Sequence, residues 1–222
     1  MNEHLKVVIR LRTPMKEPDN LFHLDALLAA MRVQEAEALS GAPVEPSEVQ
    51  HDLPVERYIA PSGEWVFKAS AFHLARESEV RMWMQTGRTD LTRFASDRAS
   101  GFVKMRASKP NLAGGFFKSS AFHYPLVWAE LTAYCIGDKA RVESLLARCE
   151  QIGGRRGVGS GVVESIEVQV VDQDECVWAY RTMPQGAERE MRGILFAQAV
   201  RALRPPYWDR ASQVAALQPL SF

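Results

Sequence analysis

Two apolar periods alternate along this chain, and their order limits the folds open to it more than any other feature. Leu5 to Thr13, "LKVVIRLRT", alternates apolar and polar residues and is rich in β-branched side chains, which predicts a strand. "NLFHLDALLAAMRVQEAEALSG" follows, with Leu24, Leu27, Leu28 and Met31 at helical spacing and Gly41 as a stop. A proline-rich polar loop then leads to a second alternating run, Gly63 to Phe72. The pattern returns further on. "LVWAELTAYCIGD" reads as a strand ending at Gly137, and "DKARVESLLARCEQIGG" as an amphipathic helix capped by Asp138, with Val142, Leu145, Leu146 and Cys149 on one face. "VVESIEVQVV" closes the series as a strand.

The order β-α-β-(insert)-β-α-β predicts an α+β fold with a ferredoxin-like (RRM-like) core and helices on one face of the sheet. Residues 1–171 form this core. A basic insertion at about 74–120 separates its second and third strands. Residues 172–222 make a C-terminal extension packed on the core, holding a helix-like stretch "REMRGILFAQAVRALR" and the element "RPPYWDR". The two prolines impose an extended path and the aromatics anchor it to the core, a subunit interface being the other reading.

Charge adds a local rather than a global signal. Lysine plus arginine and aspartate plus glutamate both number 27, so any nucleic-acid surface has to be a patch. One stretch qualifies. Arg76, Arg81, Arg88, Arg93, Arg98, Lys104, Arg106, Lys109 and Lys118 face only Glu77, Glu79, Asp90 and Asp97 across residues 76–118. Trp83, Phe94, Phe102, Phe116 and Phe117 lie among them, a mixture suited to phosphates and bases, or to a neighbouring protein. The three cysteines are scattered without a CxxC, which favours a reduced, cytoplasmic protein over a disulfide scaffold or a metal site. No signal-peptide pattern or run of about 18 apolar residues points to a membrane.

Between the second helix and the last strand stands "IGGRRGVGSGVV", with Gly153, Gly154, Gly157, Gly159 and Gly161 around Arg155, Arg156 and Ser160. A dinucleotide fingerprint needs its glycines before a helix, where the N-terminus faces phosphate. Here the glycines follow a helix, whose C-terminal end repels anions. GxxxxGK[ST] is also absent. Two readings remain: a backbone clamp on phosphate with two guanidinium groups, or a solvated turn with Gly153 as helix C-cap. Lys68 and Ser70 share one face of the second strand and are candidates to line an RNA groove, Lys118 and Ser119 repeating the pattern. A lysine on an exposed sheet face is the plainer account.

The glycine loop after "GDKARVESLLARC", together with "LFHLDALLAAM", "WVFKASAF", "GFFKSSAFHYPL" and "LRPPYWDR", resembles the RAMP superfamily of CRISPR-associated RNA-binding proteins. Within it, the chain is similar to the type IV effector subunits that cap the 5′ end of the guide. The resemblance implies a non-catalytic subunit that grips the crRNA handle, with target DNA as a further contact. Backbone and large-subunit-like proteins of the complex would be its protein partners. No metal or small-molecule cofactor is implied. Two alternatives stay open: a metal-independent guide-processing endoribonuclease of the same superfamily, with His23 or His73, which fall near the sheet in the expected order, as the base, and an assembly scaffold without direct RNA readout.

Overall fold

The computed structural model describes residues 2–16, 18–76, 81–87, 89–102, 110–113, 120–154, 156–191 and 193–220. Alternation in the first run sends Leu5, Val7 and Ile9 fully into the core, while Lys6 and Arg10 point the other way. This strand, β1 (Glu3–Leu11), is central. A two-residue strand, β2 (Met15–Lys16), follows it, then helix α1 (Leu24–Ser40) and a single turn, α2 (Pro46–Val49). Gly41 ends α1 in a left-handed conformation (φ 67°), its N–H bonded to the Glu37 carbonyl.

The second alternating run does not form one strand. Its start, β4 (Trp65–Phe67), pairs with β3 (Arg57–Ile59) in a hairpin. Its end leads through the Ala69–Cys135 bridge into β5 (His73–Arg76), which joins the main sheet. The cause is burial on both sides. Phe67 lies in the main core, whereas Val66 lies in a second apolar cluster with Met183, Leu203 and Leu217.

Between β5 and β8 (Ala129–Gly137) the chain forms a separate unit, Val80–Leu126. Within it, β6 (Arg81–Gly87) pairs antiparallel with β7 (Ser120–Val127), and α3 (Leu91–Ala99) is capped by Asp90, which accepts from the Thr92 and Arg93 amides. Phe94 is the buried residue of α3. After β8 comes α4 (Lys139–Leu146), then β9 (Val163–Val170). Asp138 caps α4 by accepting from the Arg141 amide at 2.9 Å. This helix ends at Leu146 rather than running on to the glycines, because Arg148 and Cys149 turn back through tighter i→i−3 bonds. Cys149 still packs in the core.

The four strands pair antiparallel throughout in the order β5-β8-β1-β9. One face carries the main core, where Leu24, Leu27, Leu28 and Met31 of α1 and Val142, Leu145 and Leu146 of α4 cover Leu5, Val7 and Ile9. On the other face Arg10 pairs with Glu130 (3.0 Å) and Glu167 (2.6 Å), and Lys6 pairs with Glu175 (3.1 Å). The fold is therefore mixed α and β with antiparallel sheets. Among the described residues no helix is long and apolar enough to cross a membrane.

The C-terminal residues form a three-stranded sheet in the order β10 (Met183–Pro184), β12 (Gln213–Pro219), β11 (Phe196–Ala202). The helix expected over 189–204 is thus corrected to a strand. Gly193, at φ 85°, breaks the run before it becomes helical. Pairing of Phe196–Ala202 along the whole of β12 then outweighs the local helical period.

Candidate nucleic-acid interface

The glycine loop is framed before it is flexible. Gln151 and Val162 bridge its base, and Ile152 donates to the Gly161 carbonyl at 2.8 Å. A turn after β1 braces the returning limb: Arg12 N–H donates to the Val162 carbonyl at 2.8 Å, and the Thr13 hydroxyl to the Gly159 carbonyl at 2.8 Å. Ser160 is buried, donating to the Pro14 carbonyl (3.1 Å) and accepting from the Lys16 amide (3.2 Å). Its side chain belongs to the frame, not to a ligand surface. That corrects its assignment as an RNA contact.

The glycines then divide by what the fold asks of them. A Cβ at Gly161 would stand 2.0 Å from the Ile152 carbonyl oxygen, at φ 70°. Gly153 and Gly159 also hold positive φ. These three are required by the turn. Gly157 has no positive φ, and a Cβ there would meet nothing within 4 Å. It lies in a short 3₁₀ turn, Arg156–Val158, between the exposed Arg156 and the exposed Val158. The fold alone does not explain a glycine at this position. Gly154 is similar, its added Cβ reaching only the Lys16 stem at 3.5 Å.

Arg12, which sequence reasoning passed over, is exposed on the bracing turn. Neither Arg12 nor Arg156 has an ion-pair partner among the described residues, whereas Lys16 is held by Asp19 at 2.6 Å. The loop therefore gathers two guanidinium groups around a backbone that can be approached closely. Arg155 lies outside the described residues.

The other candidates do not converge on it. Lys68 hydrogen-bonds Glu56 at 2.8 Å, holding that carboxyl below its usual range, and stands 6.0 Å above the Trp178 ring. Its carbonyl accepts from Ile136, which lies opposite His4 on β1, while the loop abuts Arg12. Eight residues of strand separate these points, about 25 Å at ~3.3 Å per residue. Ser70 is a correction. It is fully buried, accepting from the Tyr134 amide and donating to the Ala71 carbonyl, so it lines no groove.

Of the insert, Arg93 is 82% exposed at its side chain and 3.8 Å from Asp97, and Arg98 is half-buried on the last turn of α3. Arg76 and Arg81 hold backbone positions in β5 and β6. Arg88, Lys104, Arg106, Lys109 and Lys118 lie outside the described residues.

The histidines part company too. His73 is exposed on β5. His23 is buried, stacked 4.3 Å from the Tyr207 ring, and its Nε2 accepts from the Thr182 amide at 3.3 Å. Burial, then the neighbouring Arg181, push its pKa well below the usual histidine range. Sealed from solvent, it cannot meet a 2′-hydroxyl, which corrects its candidacy as a base.

What surrounds His23 was not visible in sequence. Arg181, completely buried, donates to the Asp25 carboxylate (3.2 Å), the Phe67, Ala69 and Leu203 carbonyls (2.7, 3.0 and 2.8 Å) and the Tyr207 oxygen (2.6 Å). The Tyr207 hydroxyl donates in turn to Asp25 at 2.9 Å. Burial pushes the Asp25 carboxyl upward, with the guanidinium and the hydroxyl drawing it back. This knot ties α1, the link after β4 and the Pro-Pro-Tyr-Trp element together. Its two charged groups, Arg181 and Asp25, are wholly buried and offer nothing to a ligand.

A family model described as CRISPR type IV associated protein Csf3 matches residues 3–219. The chain belongs to that family. The match takes in the glycine loop, the insert and the C-terminal sheet alike, so the resemblance drawn from scattered motifs holds at the level of type IV CRISPR association. No curated protein matches the sequence.

Proposed function

We propose that this chain is a non-catalytic crRNA-binding subunit of a type IV CRISPR effector, and that the Gly153–Gly161 loop grips the 5′ handle. Gly157 carries the reading. It is a glycine with ordinary φ and, among the described residues, nothing within 4 Å of its would-be Cβ, beside an arginine with no ion-pair partner among them. A Cβ there would harm only something that comes from outside. Arg12 and Arg156 supply donors for phosphate oxygens.

We read the core as ferredoxin-like, with β1, β5, β8 and β9 as its first to fourth strands, and α1 and α4 as the two crossovers on one face. The open sheet face is not the RNA platform in this reading. Its cations are already neutralised by Glu130, Glu167 and Glu175. The insert arginines, Arg93 among them, would contact guide, target DNA or a neighbouring subunit. Three free, buried cysteines suit a reducing cytoplasm.

The test is binding of an RNA transcribed from the repeat of the chain's own CRISPR locus. Gly157→Val and Arg156→Ala should each weaken it about ten-fold, the worth of one charge-assisted hydrogen bond. Parent-like binding by both variants sinks the clamp. The same RNA should remain intact in chelator and with added divalent metal. Cleavage lost on His73→Ala would replace this reading with the endoribonuclease.

A further inference from the structure

A wide groove elsewhere in the fold differs from this loop in character. It is a groove of about 1110 Å³ between α1, α2 and the Pro-Pro-Tyr-Trp element. Its floor is small and apolar: Ala26, Ala29, Ala30 and Val33 succeed one another along α1 at helical spacing. Pro206 and Trp208 form the opposite wall.

Trp208 is 83% exposed, yet it is not on a loose segment. Tyr207, the residue before it, is locked to Asp25 and Arg181. Asp209, the residue after it, is fixed by accepting from the Ala211 amide and the Ser212 hydroxyl. The backbone is clamped on both sides of an indole left in water. Nothing in the knot requires tryptophan there. A large aromatic held rigidly over an apolar groove is the usual anatomy of a binding anchor.

Charge selects the occupant. The lining carries three carboxylates, Glu45, Glu64 and Asp209, against one guanidinium, Arg204, which Glu64 already holds at 3.1 Å. Glu45 is exposed and has no ion-pair partner among the described residues. Such a rim repels a phosphodiester backbone and favours a cationic partner. The glycine loop, whose Arg12 and Arg156 have no ion-pair partner among the described residues, shows the opposite polarity.

We propose that this groove docks a segment of another protein subunit, with apolar side chains against Ala30, Val33 and Trp208 and a lysine or arginine facing Glu45. The proposal rests on the groove and the family membership, not on the RNA reading.

The experiment mixes the purified chain with each of the other protein subunits encoded in the same CRISPR locus, purified separately, and measures affinity calorimetrically. At least one should bind. Trp208→Ala should weaken that binding at least about ten-fold, as anchor truncations do, and Glu45→Lys should weaken it independently. Neither variant should alter affinity for the repeat RNA or the thermal midpoint, because both side chains are exposed. If Trp208→Ala does lower the midpoint, Glu45→Lys alone decides. The proposal fails if no subunit binds, or if binding ignores the deciding substitutions. It fails equally if Trp208→Ala reduces RNA affinity, which would make the groove a nucleic-acid surface. Concentration-dependent self-association abolished by Trp208→Ala would assign the groove to a second copy and overturn it as well.

Discussion

Arg181 and Arg156 bring the same guanidinium into opposite situations. Around Arg181 every donor direction meets an oxygen, and no water reaches it. Arg156 is exposed, with no carboxylate beside it among the described residues, on a loop whose framing bonds use backbone and small side chains. A fold that fully satisfies one arginine and leaves another unsatisfied distinguishes holding from recognising. The same contrast separates the glycines. Gly161 is demanded by a carbonyl it would otherwise strike, while Gly157 is demanded by nothing among the described residues.

The largest effect should come from the satisfied side. Arg181→Met strands the buried Asp25 carboxylate and several carbonyls, and should cost about 3–5 kcal/mol in denaturant unfolding. Adding Asp25→Leu should restore part of that loss, since the orphaned charge goes with it. A single variant as stable as the parent would mean that the knot is not the clasp of the C-terminal sheet.

Next in size, Gly161→Ala should destabilise by roughly 1–3 kcal/mol through strain at positive φ and the clash with Ile152. Gly157→Ala should stay within about 0.5 kcal/mol, as surface changes do. Equal losses at the two positions would erase the distinction between frame and tip.

A pH titration sharpens the same side. The folded state holds His23 neutral, first through burial and then through Arg181, so its folded pKa lies well below the unfolded value of about 6.5. Below that pH the unfolded chain takes up a proton that the folded chain refuses. Stability should therefore fall as pH drops from about 6.5, by up to ~1.4 kcal/mol per unit from this group. His23→Phe keeps a ring against Tyr207 and should flatten the slope between pH 6.5 and 5. An unchanged slope would mean that His23 takes a proton while buried.

The smallest effects belong to recognition charges. Arg12→Ala should flatten the log–log salt dependence of RNA binding by about 0.7 if it meets one phosphate. Lys68→Met, remote from the loop and already paired with Glu56, should leave that slope unchanged. A reversed ranking would move the interface to the other end of β1.

Much of the frame was legible because it follows local rules. Alternation placed Leu5, Val7 and Ile9 inward, Gly41 stopped α1, and Asp138 capped α4. The glycine loop stood out because five glycines exceed what a turn needs, although its sequence could not say which were structural. That division depends on where the Ile152 carbonyl lies, a tertiary fact. Arg12 was missed for the same reason: only pairing of β1 with β9 brings its turn to the loop. Asp25 and Arg181 were missed because charged residues normally read as surface, and no local pattern links partners so far apart in the chain. β11 was misread because its small residues fit a helical period as well as a strand until β12 is beside it.

The distance in sequence between Asp25 and Arg181, 156 residues, has a consequence for synthesis. At about 5–20 residues per second, α1 leaves the ribosome roughly 8–30 s before the cation that neutralises its first turn. Until then a carboxylate faces an apolar interior with no counter-charge, and the helix cannot settle finally against the sheet. Assembly of this subunit is thus tied to completion of its chain. Fragments that end before residue 181 should be substrates for chaperones and proteases rather than half-built competitors for a place in the complex.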